Sequence, residues 1–354
     1  MVKLESTKES IMKHFFIPIL SLVAGLLIAG ATTWNNTLNI SLVFQVLLVV
    51  LLLSVLEISL SFDNAVVNAT VLKKMSKVWQ KRFLTWGIAI AVFGMRFLFP
   101  LVIVAVISNT SLYDSLIMAI SKPEDYAKMM QAAHLAVSAF GGSFLLMVAL
   151  DYFFSHEKDV HWIHIIEKPA SKIAVFQSIE LIMAIMVMML IYSYMPEVDK
   201  LTFLVSYLWG ILTYLVVHGI SGVLEDGHLT KMKFFSSGFG MFLYLEVLDA
   251  SFSFDGVVGA FAISNQLIII MIGLGVGAFF VRGITLYLVE HDTLNQYKFL
   301  EHGAFYALGV LALFMLLDSF FHFPEWLTAL SGAIILGLSV LWSMYEAKKI
   351  DIKS

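Results

Sequence analysis

Cysteine is absent from these 354 residues, which removes disulfides, thiolate metal sites and thiol redox chemistry. Charge is scarce as well. Only 14% of the residues are Asp, Glu, Lys or Arg, against about 25% in an ordinary soluble domain. No DDxxD-like cluster, HExxH or GxGD signature occurs, which leaves the common intramembrane enzyme classes without their chemistry, and the chain is not expected to be an enzyme. The first apolar run lacks a small-residue cleavage site, so it reads as a retained span and not a signal peptide. No lipidation motif occurs, and nothing points to nucleic acid.

What is present is apolar. Hydrophobic residues make up 60% of the chain and mean hydropathy is +0.88, so the expectation is an all-α integral membrane protein whose main partner is the lipid bilayer. A span needs roughly 20 predominantly apolar residues. Ten windows qualify: 14–31, 40–60, 83–107, 133–154, 173–193, 201–223, 236–262, 267–289, 299–321 and 326–345. The second is expected to run on to about residue 72. Segment 111–130, with Pro123, Glu124 and Asp125, reads as an external interfacial helix or loop.

Basic residues are unevenly shared between the connections. One side holds Lys3, Lys8, Lys13, Lys73, Lys74, Lys77, Lys81, Arg82, Lys158, Lys168, Lys172, Lys231, Lys233, Lys298, Lys348, Lys349 and Lys353; the other holds Lys122, Lys128 and Lys200. The positive-inside rule then places both termini in the cytoplasm of a multi-pass inner-membrane protein. Arg96 and Arg282 complete the basic residues, and both fall inside predicted spans.

Two stretches nearly repeat each other. Glu57-Ile-Ser-Leu-Ser-Phe-Asp63-Asn64 lies in the second span and Asp249-Ala-Ser-Phe-Ser-Phe-Asp255-Gly256 in the seventh. Each places an aspartate six residues after an acid. A carboxylate at the bilayer centre costs ~2.5–3.5 kcal/mol on insertion scales, so it seldom sits there without a partner or a task. The duplication extends further. Gly87 precedes Arg96 by nine residues, as Gly273 precedes Arg282; His134 and His302 open spans four and nine; Leu150-Asp151 and Leu317-Asp318 close them. Ten spans divide into a first repeat at 1–195 and a second at 196–354. Five spans per repeat forces opposite orientations, the inverted-repeat plan of secondary transporters. Six residues of ideal helix turn through about 600°, leaving the two acids of each motif ~120° apart. The spacing, with Ser, Asn and Gly between and after, predicts broken helices near Ser59–Asn64 and Ser251–Gly256.

Glu57, Asp63, Asp249 and Asp255 against Arg96 and Arg282 leave a formal charge of −2, which a divalent cation would cancel. Carboxylate and amide oxygens, including Asn64, favour hard ions such as Mn²⁺, Mg²⁺ or Ca²⁺. The arginines would hold or gate the acids. The plainer alternative is a pair of buried Arg–Asp locks. Glu246, one turn before Asp249, is a fifth ligand, a proton carrier or a paired residue. Glu180 in span five is a proton-relay candidate or a helix–helix bond; Asn68 reads as the latter. Asp151 and Asp318 suit access gates or simple helix-end solvation. His156, His161 and His164 in the cytoplasmic loop offer a metal sensor or a solvated connector.

The paired Glu-x-Ser-Leu-Ser-Phe-Asp-Asn and Asp-x-Ser-Phe-Ser-Phe-Asp-Gly motifs, each followed by an intramembrane arginine, resemble the TerC family of integral membrane proteins over roughly residues 40–320. The resemblance implies Mn²⁺ export and metal homeostasis, with some members linked to insertion or stress responses. On it, Glu57, Asp63 and Asn64 match the first acidic motif, and Asp249 and Asp255 the second. Gly256 departs from the serine often found there, and ten spans exceed the usual seven to nine. The leading expectation is a proton-coupled divalent-cation exporter working by alternating access. The competing ones are an accessory protein of membrane-protein biogenesis, a metal-dependent intramembrane enzyme, and a transporter of small organic cations.

Overall fold

A computed structural model of the chain describes residues 2–154, 160–173, 178–225, 238–264, 266–318, 320–321 and 323–351; the regular structure among them is helical throughout. In order the elements are α1 (Val2–Thr37), α2 (Ile40–Leu60), α3 (Phe62–Lys74), α4 (Lys77–Ser108), α5 (Leu112–Ser121), α6 (Pro123–Phe154), α7 (His164–Ile173), α8 (Ile179–Tyr194), α9 (Glu197–Glu225), α10 (Phe239–Ile263), α11 (Leu267–Glu290), the single turn α12 (Thr293–Gln296), α13 (Leu300–Leu317) and α14 (Glu325–Asp351). Their ends have chemical causes. Asn39 Oδ1 caps α2 by accepting the N–H groups of Ser41 and Leu42 at 2.9 and 3.4 Å. Ser111 and Asp114 form a capping box at α5. Asn109, at φ 50°, closes α4 in the left-handed region.

Among the described residues, eight helices are long and apolar enough to cross a membrane, within α1, α2, α4, α6, α9, α11, α13 and α14. Each of the remaining two windows holds a helix among the described residues. At 173–193 stands α8, whose 16 residues reach about 24 Å, short of a ~30 Å hydrocarbon core. At 236–262 stands α10, 25 residues long but carrying Glu246, Asp249 and Asp255.

Two local expectations are corrected. Of the helix or loop expected at 111–130 the structure has helix, and residues 123–130 continue into the fourth window: Pro123 opens α6, its missing N–H harmless in the first turn, and Glu124 and Asp125 favour the helix N-terminus. His134 therefore lies within a helix instead of opening one. Of the two expected breaks, the first is present as a short joint and the second is absent. α10 runs unbroken through Ser251–Gly256, and the first motif has a joint of one residue, Ser61. Ser61 N–H still donates to Glu57 O at 3.0 Å and Ala65 N–H to Ser61 O at 3.1 Å. In lipid an interrupted ladder would strand backbone groups, and the serines avoid that by bonding back onto the helix. Ser59 Oγ donates to Val55 O at 2.8 Å and Ser251 Oγ to Val247 O at 2.9 Å.

The chain packs as two units that interleave in sequence, one made of residues 1–65, 81–134 and 252–291, the other of 66–80, 135–251 and 292–354. This division follows packing, whereas the 1–195/196–354 division follows duplication. In the first unit α11 packs on α1, α2 and the middle of α4, and α1 on α2. Glycines let α11 and α2 touch: a Cβ at Gly273 would lie 2.5 Å from Leu53 Cβ. Ser54 Oγ donates to Gly273 O at 3.0 Å across that seam. In the second unit α13 pairs with α14, and Gly303 sits against Ser339. There too Tyr207 OH donates to Ala184 O at 2.8 Å, joining α9 to α8.

Gly273→Val is expected to lower thermal stability in detergent by the equivalent of roughly 1–3 kcal/mol through overpacking. Gly219→Ala, with open space around it, should be neutral or mildly stabilising in the same melting assay.

Candidate functional site

Glu57 lies one turn before the end of α2 and is 1% exposed. Its Oε1 accepts the Ser61 hydroxyl at 2.8 Å and the Nη2 of Arg96, itself 4% exposed. Arg96 Nη1 donates to Ala91 O at 2.6 Å, which fixes the guanidinium on its own helix. The floor beneath Glu57 is Gly277, where a Cβ would come within 2.4 Å of Glu57 Cβ and 2.6 Å of Cγ. Both donors go to Oε1. Oε2 lies 3.2 Å from where a Cβ on Gly256 would stand; beyond α10's own backbone and sequence neighbours, only Leu60 Cδ1, at 3.8 Å, also comes within 4 Å of that point among the described residues. The first acid of one motif therefore faces the last residue of the other within a single unit.

The other site candidates of this unit fall nearby in sequence. Asp63, in the first turn of α3, is buried and accepts the Asn64 N–H at 3.0 Å. Asn64 is 2% exposed. Asp255 continues the α10 backbone, but its side chain lies outside the described residues. Arg282 on α11 donates from Nη1 to Phe83 O at 3.2 Å, so both duplicated arginines bond carbonyls of α4.

In the second unit Asn68 Nδ2 donates to Asp249 Oδ1 at 3.4 Å, which gives Asn68 the helix-to-helix role that its type predicts. Glu246 is buried one turn earlier on α10. Glu180 opens α8 within electrostatic reach of Asp151, which also interacts with His218, Tyr214 and Lys74. Asp318 caps α13, its Oδ1 accepting the Phe323 N–H at 3.0 Å. Among the described residues, no three His, Asp or Glu side chains gather as a metal site.

The sequence left three features unread. Gly277 was hidden although it follows Gly273 at i+4, the small-xxx-small spacing that brings helices together. Ser61, besides forming the joint, acts through its hydroxyl on Glu57, a role that its type did not announce. Glu167, three residues beyond the histidine-bearing loop, is the third. It is 1% exposed and accepts the N–H groups of Trp162 and Ile163 and the Tyr306 hydroxyl, each at 3.2 Å. His161 Nδ1 and His302 Nε2 stand 3.4 and 3.5 Å from its Oε2. His156 lies outside the described residues.

Removing one member of a buried ion pair leaves the other uncompensated, a loss of ~3–5 kcal/mol. Arg96→Ala is expected to destabilise by about that amount. Adding Glu57→Gln should recover part of the loss, and a double-mutant cycle on detergent melting would read the coupling.

The family described as "Protein of unknown function (DUF475)" matches residues 62–350. The "Uncharacterized membrane protein YceF" of Bacillus subtilis (strain 168) is 33% identical over 104 residues, which cover 28% of this chain and 39% of that protein. The chain thus matches well under half of the length of this relative. No solved structure matches. The apolar helices and this relative together make the chain a multi-pass membrane protein.

Proposed function

We propose that this chain, which belongs to the DUF475 family, is a secondary transporter that exports a divalent metal cation, with Mn²⁺ the first substrate to test. The observation that carries the reading is the meeting of Glu57, Arg96 and Gly256 in one unit, where the two acidic motifs contribute to a single buried locus. Buried carboxylates in membrane helices serve ion or proton pathways far more readily than stability. The arginine supplies a resident counter-charge that an arriving cation displaces, and Oε2 offers the hard oxygen such an ion prefers. Asp63, Asn64, Asp249 and Asp255 complete the ligand set in this reading, with Arg282 and Glu246 as charge partners. Glu180 is the proton-relay candidate for coupling.

The finer architecture belongs to the same proposal. Ten spans in two inverted repeats of five would present the locus alternately to each side, with both termini in the cytoplasm. The resemblance to the TerC family supports Mn²⁺ among the hard cations. A second reading, an accessory protein of membrane-protein biogenesis, is favoured by one observation: no three-ligand group forms among the described residues. In that case Glu57–Arg96 is a structural lock and no ion moves.

Purified protein in vesicles, loaded with Mn²⁺, Ca²⁺ or Mg²⁺ indicators and tested with and without a pH gradient, separates the readings. Transport is expected for Mn²⁺ and should be enhanced by the gradient. Asp63→Asn or Asp255→Asn is expected to abolish both vesicle uptake and metal tolerance of a sensitised strain while membrane insertion persists. Normal uptake in both variants would sink the proposal.

A further inference from the structure

The helix that carries Arg96 is wound unevenly. Within α4, Phe83–Gly87 and Ile90–Leu98 are π-helical. Such winding is rare beyond a single turn and recurs at functional sites. A chemical cause for the end of the second segment lies at Pro100. Proline has no N–H to give the Arg96 carbonyl one turn back, and its ring crowds that carbonyl. The preceding Phe99 N–H reaches past it to Gly94 O, five residues back. Regular α winding resumes at Phe99 with Pro100 in its first turn, where a missing donor is tolerated.

Both duplicated arginines hang on this stretch. Arg96 Nη1 bonds Ala91 O and its Nη2 bonds Glu57; Arg282 bonds Phe83 O at 3.2 Å. The counterpart helix α11 shows no such winding and is α-helical from Leu267 to Glu290. The asymmetry between the repeats is thus concentrated where Arg96 meets its acid.

We propose that Pro100 is a positioning residue which holds this stretch in π register with Arg96 on Glu57, and that contraction by one residue to α winding withdraws Arg96 and opens Glu57 to the cation. One residue of helix turns a side chain by about 100°, enough to take a guanidinium off a fixed carboxylate. Each N–H in the stretch exchanges an i−5 carbonyl for an i−4 carbonyl; the one acceptor this leaves without a backbone donor is Arg96 O, opposite Pro100, and that cost keeps the π register the resting one. The coupling to a cation rests on the transport reading above; the register change itself does not.

The absence of cysteine makes the register directly readable. Val92 Cγ1 lies 3.4 Å from where a Cβ on Gly275 would stand. Full-length Val92→Cys/Gly275→Cys, in vesicles and oxidised with iodine, is expected to cross-link efficiently without divalent ions. The flanking pairs Ala91→Cys/Gly275→Cys and Phe93→Cys/Gly275→Cys should cross-link poorly. Adding Pro100→Ala should move yield from the 92/275 pair to a flanking pair with no metal present, in protein that stays monodisperse in detergent. Saturating Mn²⁺ should do the same to the chain with Pro100 intact. An unchanged pattern in Pro100→Ala overturns the register device whatever the uptake assays show. A shift in Pro100→Ala without any Mn²⁺ effect, in protein that takes up Mn²⁺, overturns its role in cation entry. A chain that shifts with Pro100→Ala but takes up none of the three ions refutes the transport reading and the coupling together, and leaves the register change standing.

Discussion

An ionised carboxylate inside a hydrocarbon layer needs a counter-charge and hydrogen bonds, and Glu57 takes both from within its own unit. Most of the surrounding packing follows from that need. Arg96 must come close, so α4 is drawn onto the unit and its carbonyl at Ala91 anchors the guanidinium. The carboxylate stem requires room, so α11 presents Gly277 beneath it and Gly273 one turn before. Ser54 and Ser61 then satisfy the seam and the acid without adding charge.

The two acidic motifs are alike in letters and unlike in geometry. The first is jointed at Ser61, between a helix that ends on Leu60 and one that begins on Phe62. The second lies within an unbroken helix. Both arginines bond carbonyls of α4, Arg96 that of Ala91 and Arg282 that of Phe83. At Glu57 the first motif supplies the acid, and Gly256 of the second stands beside its Oε2.

Much of this was legible before any coordinates. The windows 40–60 and 267–289 coincide closely with α2 and α11, because uninterrupted apolar runs leave no other way to satisfy a backbone in lipid. Arg96 was conspicuous for the same reason, as a charge in an apolar run. The second break was misjudged because helix propensity measured in water penalises serine, whereas in this helix the Ser251 hydroxyl returns its hydrogen bond to the preceding turn. The extent of α6 was missed because Pro123, Glu124 and Asp125 signal a polar segment and a favourable helix start equally well. Glu167 was missed because its partners His302 and Tyr306 lie over 130 residues away. No spacing rule connects residues so far apart.

The glycine under Glu57 carries a consequence for how this chain can vary. A Cβ at 277 would meet Glu57 Cβ at 2.4 Å and the Ser54 carbonyl at 2.9 Å, atoms that every residue but glycine would keep at 57. A lineage that shortened the acid at 57 would still need the glycine, and one that first gained a methyl at 277 could not keep α2 where it lies. The dependence therefore runs one way: the acid can be lost with its bare floor kept, but the floor cannot be lost with the acid and its helix in place.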